Sequence, residues 1–178
     1  MSWLGRKLRR FRRADDGTST VEFVIIAPVL FGLVFSVFES GWLLTKYMML
    51  ERGLDLAVRD LRLGKIPNVT RVDIRDRVCS NSMFFRDCDT DMIIELTPID
   101  SPSDFPATNA TCIDRAEEIE PVVSFNPGAR VRLQIMFIRA CVVTDPIFPG
   151  IGLGLGLTKD NTGGYRMITY SAFVNEPA

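Results

Sequence analysis

The chain has 178 residues, 47% of them hydrophobic, and a formal net charge of -1, so it can bury a modest core but not two large lobes. It contains no histidine, which excludes Ser/His and Cys/His catalytic pairs and histidine-containing zinc sites. The near-zero charge hides an asymmetry: Arg6, Lys7, Arg9, Arg10, Arg12 and Arg13 stand against only Asp15 and Asp16 before Gly17, and the body that follows is acidic. An acidic body repels a phosphate backbone, which argues against a nucleic-acid binder.

Residues 1–17 read as a basic cytoplasmic leader. Residues 23–38 (FVIIAPVLFGLVFSVF) are free of charge, and after Glu39 the run stays apolar through Trp42, Leu43 and Leu44. As a helix, residues 23–44 extend about 33 Å at 1.5 Å per residue, enough to cross a bilayer. A buried core helix is the alternative, but such helices rarely stay apolar on every face for so long. Pro28 is compatible with a membrane helix. Six basic residues before the span place the N-terminus in the cytoplasm and the body outside by the positive-inside rule. The organisation expected is a leader over 1–17, a transmembrane helix over 18–45 and an exported domain over 46–178.

Past Thr45 the apolar positions fall at helical spacing, so the helix is predicted to continue as an amphipathic one to about Leu63, with Gly64 and Pro67 supplying the stop. A second helix is predicted over 69–80. Strands are predicted over 92–98, 129–143 and 165–174, which are rich in β-branched and aromatic residues and suggest a small antiparallel sheet. Between the first two lies a polar, proline-containing loop, 100–127. The fold class is therefore α+β, with a long N-terminal helix packed on the sheet.

Cys79, Cys88, Cys112 and Cys141 all follow the apolar run, and none forms a C-x-x-C pair. In an oxidising compartment four cysteines allow two disulfides with three possible pairings. Closeness in sequence favours Cys79 with Cys88, leaving Cys112 with Cys141.

The cluster just before the apolar run is Asp16-Gly17-Thr18-Ser19-Thr20-Val21-Glu22-Phe23. A basic leader, a glycine and a glutamate five residues later form the arrangement of a type IV prepilin-like cleavage site. Processing is expected after Gly17, leaving a free amine on Thr18. Glu22 is costly in hydrocarbon and needs a partner, and the Thr18 amine of a neighbouring subunit is a suitable one. The structural alternative is a Glu22 that sits at headgroup level and merely ends an ordinary signal anchor. No small-x-small site follows the run, so the helix is expected to stay attached.

With these residues in view, the chain resembles the TadE-like family, pseudopilins of the tight-adherence (Flp pilus) machinery. The resemblance rests on Gly17, Val21-Glu22-Phe23, Pro28, Gly32, Glu39 and the run Leu50-Glu51-Arg52-Gly53-Leu54-Asp55-Leu56-Ala57-Val58-Arg59. It departs from the family pattern at Gly53 and Leu56, where small alanines are expected. The resemblance implies processing by a membrane prepilin peptidase, other pilin-like subunits as partners, no enzymatic activity, no cofactor, and a minor role in pilus assembly, adhesion or secretion. The inner membrane, with the domain in the periplasm, is the implied location. The alternative is a signal-anchored envelope protein whose exported domain binds a ligand or partner.

Three weaker patterns complete the reading. Asp87, Asp89 and Asp91 alternate but lack the glycine and glutamate of a calcium loop, so a solvated turn is expected and no metal site. Glu117, Glu118 and Glu120 read as a solvated charged loop. The stretch 150–157 alternates glycine with Ile151, Leu153, Leu155 and Leu157; it lacks the ending of a phosphate loop and is either a contact surface or core.

Overall fold

The computed structural model describes residues 18–66, 69–106, 110–117, 121–127 and 133–174. The expected leader with Gly17, the stop at Pro67, Glu118, Glu120 and the first residues of the strand expected over 129–143 lie outside them.

Helix α1 runs unbroken over Thr18–Arg62, 45 residues, and includes Pro28. It is the one helix among the described residues long and apolar enough to cross a membrane. Over its first half almost nothing is buried: Val21, Phe23, Ile25, Leu30 and Leu33 are all exposed. Its hydroxyls turn inward to carbonyls of the preceding turn, Ser36 to Gly32, Ser40 to Val37 and Thr45 to Gly41, so they present little unsatisfied polarity to an apolar surrounding.

The second half changes character. Leu50, Leu54, Ala57 and Val58 are buried, a stripe at helical spacing that faces the sheet. The helix ends in a Schellman motif: Gly64, at φ 65°, donates its N–H to the Leu61 carbonyl, and Lys65 donates to Asp60. Arg59 and Arg62 in the last turn complement the negative end of the helix dipole.

Helix α2, Arg71–Asn81, is capped by Thr70, whose hydroxyl accepts from the Asp73 N–H. It buries Ile74 and Val78 and crosses α1 at Gly53. A Cβ on Gly53 would collide with the Ser82 hydroxyl and the Val78 carbonyl. The departure from alanine is thus a packing requirement of this crossing. A one-turn helix, α3 (Cys88–Asp91), leads into the sheet.

The sheet has three antiparallel strands in the order β1 (Met92–Ile99), β2 (Ile135–Thr144), β3 (Tyr165–Val174). Its register pairs Leu96 with Ile138 and Ile94 with Ala140, then Ile138 with Ser171 and Cys141 with Ile168. One face carries Met92, Ile94, Leu96, Met136, Ile138, Ala140, Val142, Met167 and Phe173, which close the main core against α1 and α2. The other carries Ile93 and Cys141 and is covered by Ala110, Cys112, Ile113 and Val123 of the long loop. That loop also returns alongside β1, exchanging backbone hydrogen bonds between Leu96 and Ser124 and between Asn126 and Leu96, which shields the sheet edge.

Of the strand expected over 129–143, residues 129–132 lie outside the described residues, and within the described ones β2 begins at Ile135, after Leu133 and Gln134. Ile135 pairs with Ile99, the last residue of β1, and Leu133 at φ 65° stands outside the extended region. The chain joins Cys79 to Cys88 and Cys112 to Cys141, with Cα–Cα distances of 5.7 and 5.4 Å. The first ties α2 to α3 and the second pins the long loop to the central strand. By loop-closure entropy these contribute about 3 and about 4 kcal/mol.

Candidate functional site

The polar chemistry of the molecule concentrates where α1 meets the link between β2 and β3. Glu39 is the centre. Its side chain is fully buried, and its carboxylate accepts from the backbone N–H of Ile147 at 3.1 and 3.2 Å and of Phe148 at 2.9 Å. Two fixed N–H dipoles take the place of water at the carboxyl oxygens, which offsets part of the cost of burying them. Phe148 then packs its ring 4.7 Å from Phe35 at a tilt of 36°, and the Leu153 N–H donates to the Ser36 hydroxyl at 3.1 Å. Gly152, at φ 58°, lies so close to α1 that a Cβ would strike the Ser36 hydroxyl and crowd the Gly32 carbonyl at 2.9 Å.

Two turns further along α1, Lys46 is also buried and donates to the Thr144 hydroxyl. Its ammonium lies 5.6 Å from the Trp42 ring and 6.0 Å from the Phe85 ring. Burial lowers its pKa, while the charges of Asp145 and Glu39 oppose the shift. Tyr165 is buried with its hydroxyl unpartnered among the described residues, and burial, then the Glu39 charge, pushes its pKa up. Asp145 forms a two-pronged pair with Arg115 at 2.6 and 3.1 Å; this bond holds the carboxyl below its ordinary range. Asp91 lies 3.7 Å from the same guanidinium, and burial raises its pKa. Trp42, Lys46, Phe84, Asp91 and Asp145 line an open cavity of about 420 Å³ beside the point where α1 leaves its bare half.

A buried ion pair sits inside the sheet. Glu95 and Arg139 are register partners on β1 and β2, and the Arg139 Nε donates to the Glu95 carboxylate at 2.6 Å.

The expected site residues fall into separate places. Val21, Glu22, Phe23 and Pro28 lie exposed on the bare half of α1. Glu39 meets the β2–β3 link, Leu50 enters the core, and Glu51 and Arg59 face outward. Glu22 and Glu39 are 17 residues apart on one helix, about 25 Å. Asp87 caps α3 without a side-chain bond, and no group of three or more metal-ligating side chains stands together among the described residues. The sequence reading singled out Glu39 for its family position and missed its role, although an acid inside an apolar run was the available signal. It also missed Glu95–Arg139, whose signal was one charge of each sign at the middle of two apolar strands.

No curated protein and no solved structure matches the chain. Residues 17–59, which hold the expected cleavage residue, the bare half of α1, Glu39 and most of the core-facing stripe, match the family model described as TadE-like protein, the same family that the residues themselves resemble.

Proposed function

We propose that this chain is a minor pilin-like subunit of the tight-adherence pilus machinery. The TadE-like match points to a pilin-like protein associated with that pilus. The observation that carries the finer reading is the continuity of α1: one helix is apolar and bare over its first half and forms the core of a disulfide-bonded domain over its second. Such a helix anchors the subunit in the inner membrane and later packs against other subunits through the same surface. The positive-inside rule puts the domain in the periplasm, where disulfides form.

In this reading a prepilin peptidase cleaves after Gly17, and the Thr18 amine of one subunit pairs with Glu22 of the next, fixing their register. Mass spectrometry of the protein isolated from its host tests the processing: an N-terminus at Thr18 is expected, and an intact basic leader in the mature protein overturns it. Glu22→Ala is expected to permit cleavage and abolish assembly. Unchanged pilus formation would remove the role given to Glu22.

A further inference from the structure

Residues 146–157, PIFPGIGLGLGL, contain no charged and no polar side chain. Between β2 and β3 they extend beside α1 instead of folding over the sheet. Glu39 holds Ile147 and Phe148, Phe35 packs against the Phe148 ring, Ser36 holds Leu153, and Gly152 approaches Gly32. These positions on α1 lie 9 to 16 residues beyond Phe23, or about 14 to 24 Å along the axis, inside a hydrocarbon layer of about 30 Å that opens at Phe23.

The outward side chains of the segment are Ile147, Ile151, Leu153 and Leu155, exposed by 48, 44, 37 and 68%. Part of its backbone is held by named partners. Ile147, Phe148 and Leu153 donate to the side chains of α1, Ile151 donates to the Phe148 carbonyl, Leu155 to the Gly152 carbonyl, and the Pro149 carbonyl accepts from the Lys159 ammonium. A surface loop in water has no need of two helix side chains to satisfy its N–H groups. A segment at membrane depth that is non-helical up to a single turn at Leu153–Gly156 does, because each unsatisfied group there costs several kcal/mol.

We propose that residues 146–157 form a re-entrant apolar segment that inserts into the outer half of the bilayer crossed by α1, with lipid acyl chains covering Ile151, Leu153 and Leu155. Val29, Leu33 and Val37 of α1, at the same depth, are likewise exposed. Glu39 and Ser36 act as the clasp. The proposal rests on reading α1 as a membrane span, and the test separates the two.

The full chain with its disulfides intact is spin-labelled at Leu155→Cys, Val29→Cys or Met83→Cys, one at a time, and reconstituted in phosphatidylcholine vesicles; all three positions are exposed. Collision rates with oxygen, which partitions into lipid, and with a water-soluble nickel chelate are then compared. The label at 155 is expected to match that at 29, with the nickel rate reduced several-fold below that at 83. If 155 behaves like 83 while 29 stays shielded, the insertion is wrong and the span stands. If 29 is itself open to nickel, both fall. A label at 155 shielded from both reagents, with spin-spin broadening that disappears on dilution with unlabelled protein, assigns the surface to a second copy and overturns insertion.

Discussion

In the first half of α1, Val24, Ile25, Ile26, Val29, Leu30 and Leu33 are exposed on all sides of the helix; in the second half Leu50, Leu54, Ala57 and Val58 are buried on one side, with Glu51, Arg52 and Asp55 opposite. One continuous helix thus has two surroundings, one bare and one packed. The second half finds its apolar partner in its own sheet, whereas most of the first half finds none among the described residues. Composition records this difference directly: a helix that carries its own partner needs a polar face, and one that does not has none.

The sharpest test of that contrast is a matched pair of truncations. Leu54→Ala is expected to lower the unfolding free energy of the domain by about 2–5 kcal/mol, whereas Leu30→Ala is expected to change it by less than about 0.5 kcal/mol; thermal melts in detergent micelles read both. Equal losses would mean that the first half is packed within the chain after all. At the junction, Glu39→Ala leaves the Ile147 and Phe148 N–H groups without acceptors and is expected to cost about 2–4 kcal/mol. Hydrogen exchange should show lost protection at those two amides, with the amides of β2 keeping theirs.

Glycines divide the same way. Gly53→Ala drives a methyl into the Ser82 hydroxyl and the Val78 carbonyl, and overpacking of this kind costs about 1–3 kcal/mol. At Gly41, by contrast, a Cβ meets nothing within 4 Å, so Gly41→Ala should stabilise by about 0.5–1 kcal/mol through helix propensity. A destabilised Gly41→Ala would place a neighbour on that face.

The smallest expected effect is on acid stability. The Arg115 bond lowers the folded pKa of Asp145 below 3.8, so its contribution is present above pH 3.8 and is lost as pH falls through the folded value. Melting temperatures measured from pH 7 to pH 2 should fall less for Asp145→Asn than for the unaltered chain. Asp91, raised by burial, works in the opposite sense: its charged form is penalised once pH exceeds its folded pKa.

What the sequence makes legible follows the range of the interactions involved. The bare span shows as a charge-free run, the core-facing stripe as a period, and β3 as a pattern of β-branched and aromatic residues, because each depends on neighbours a few residues away. The non-strand residues Leu133 and Gln134 were not legible, because the pairing of β2 starts where β1 ends, 36 residues earlier in the register pair Ile99–Ile135. Glu39 was visible as an anomaly but not as a clasp, since its donors lie 108 and 109 residues away. Gly53 read as a departure from a family pattern until α2 supplied the reason for its size. The cleavage residues rest on motif alone, with Gly17 outside the described residues.

The unbroken length of α1 has a mechanical consequence. Its 45 residues measure about 67 Å at 1.5 Å per residue, and a tilt of about 10° at Thr18 displaces Arg62 by about 12 Å. The sheet and α2 are fastened to that far end by the buried stripe, so they must ride with it. A device that grips only the end near Glu22 can therefore swing the whole domain through more than the spacing of two β-sheets, using the helix as a lever arm.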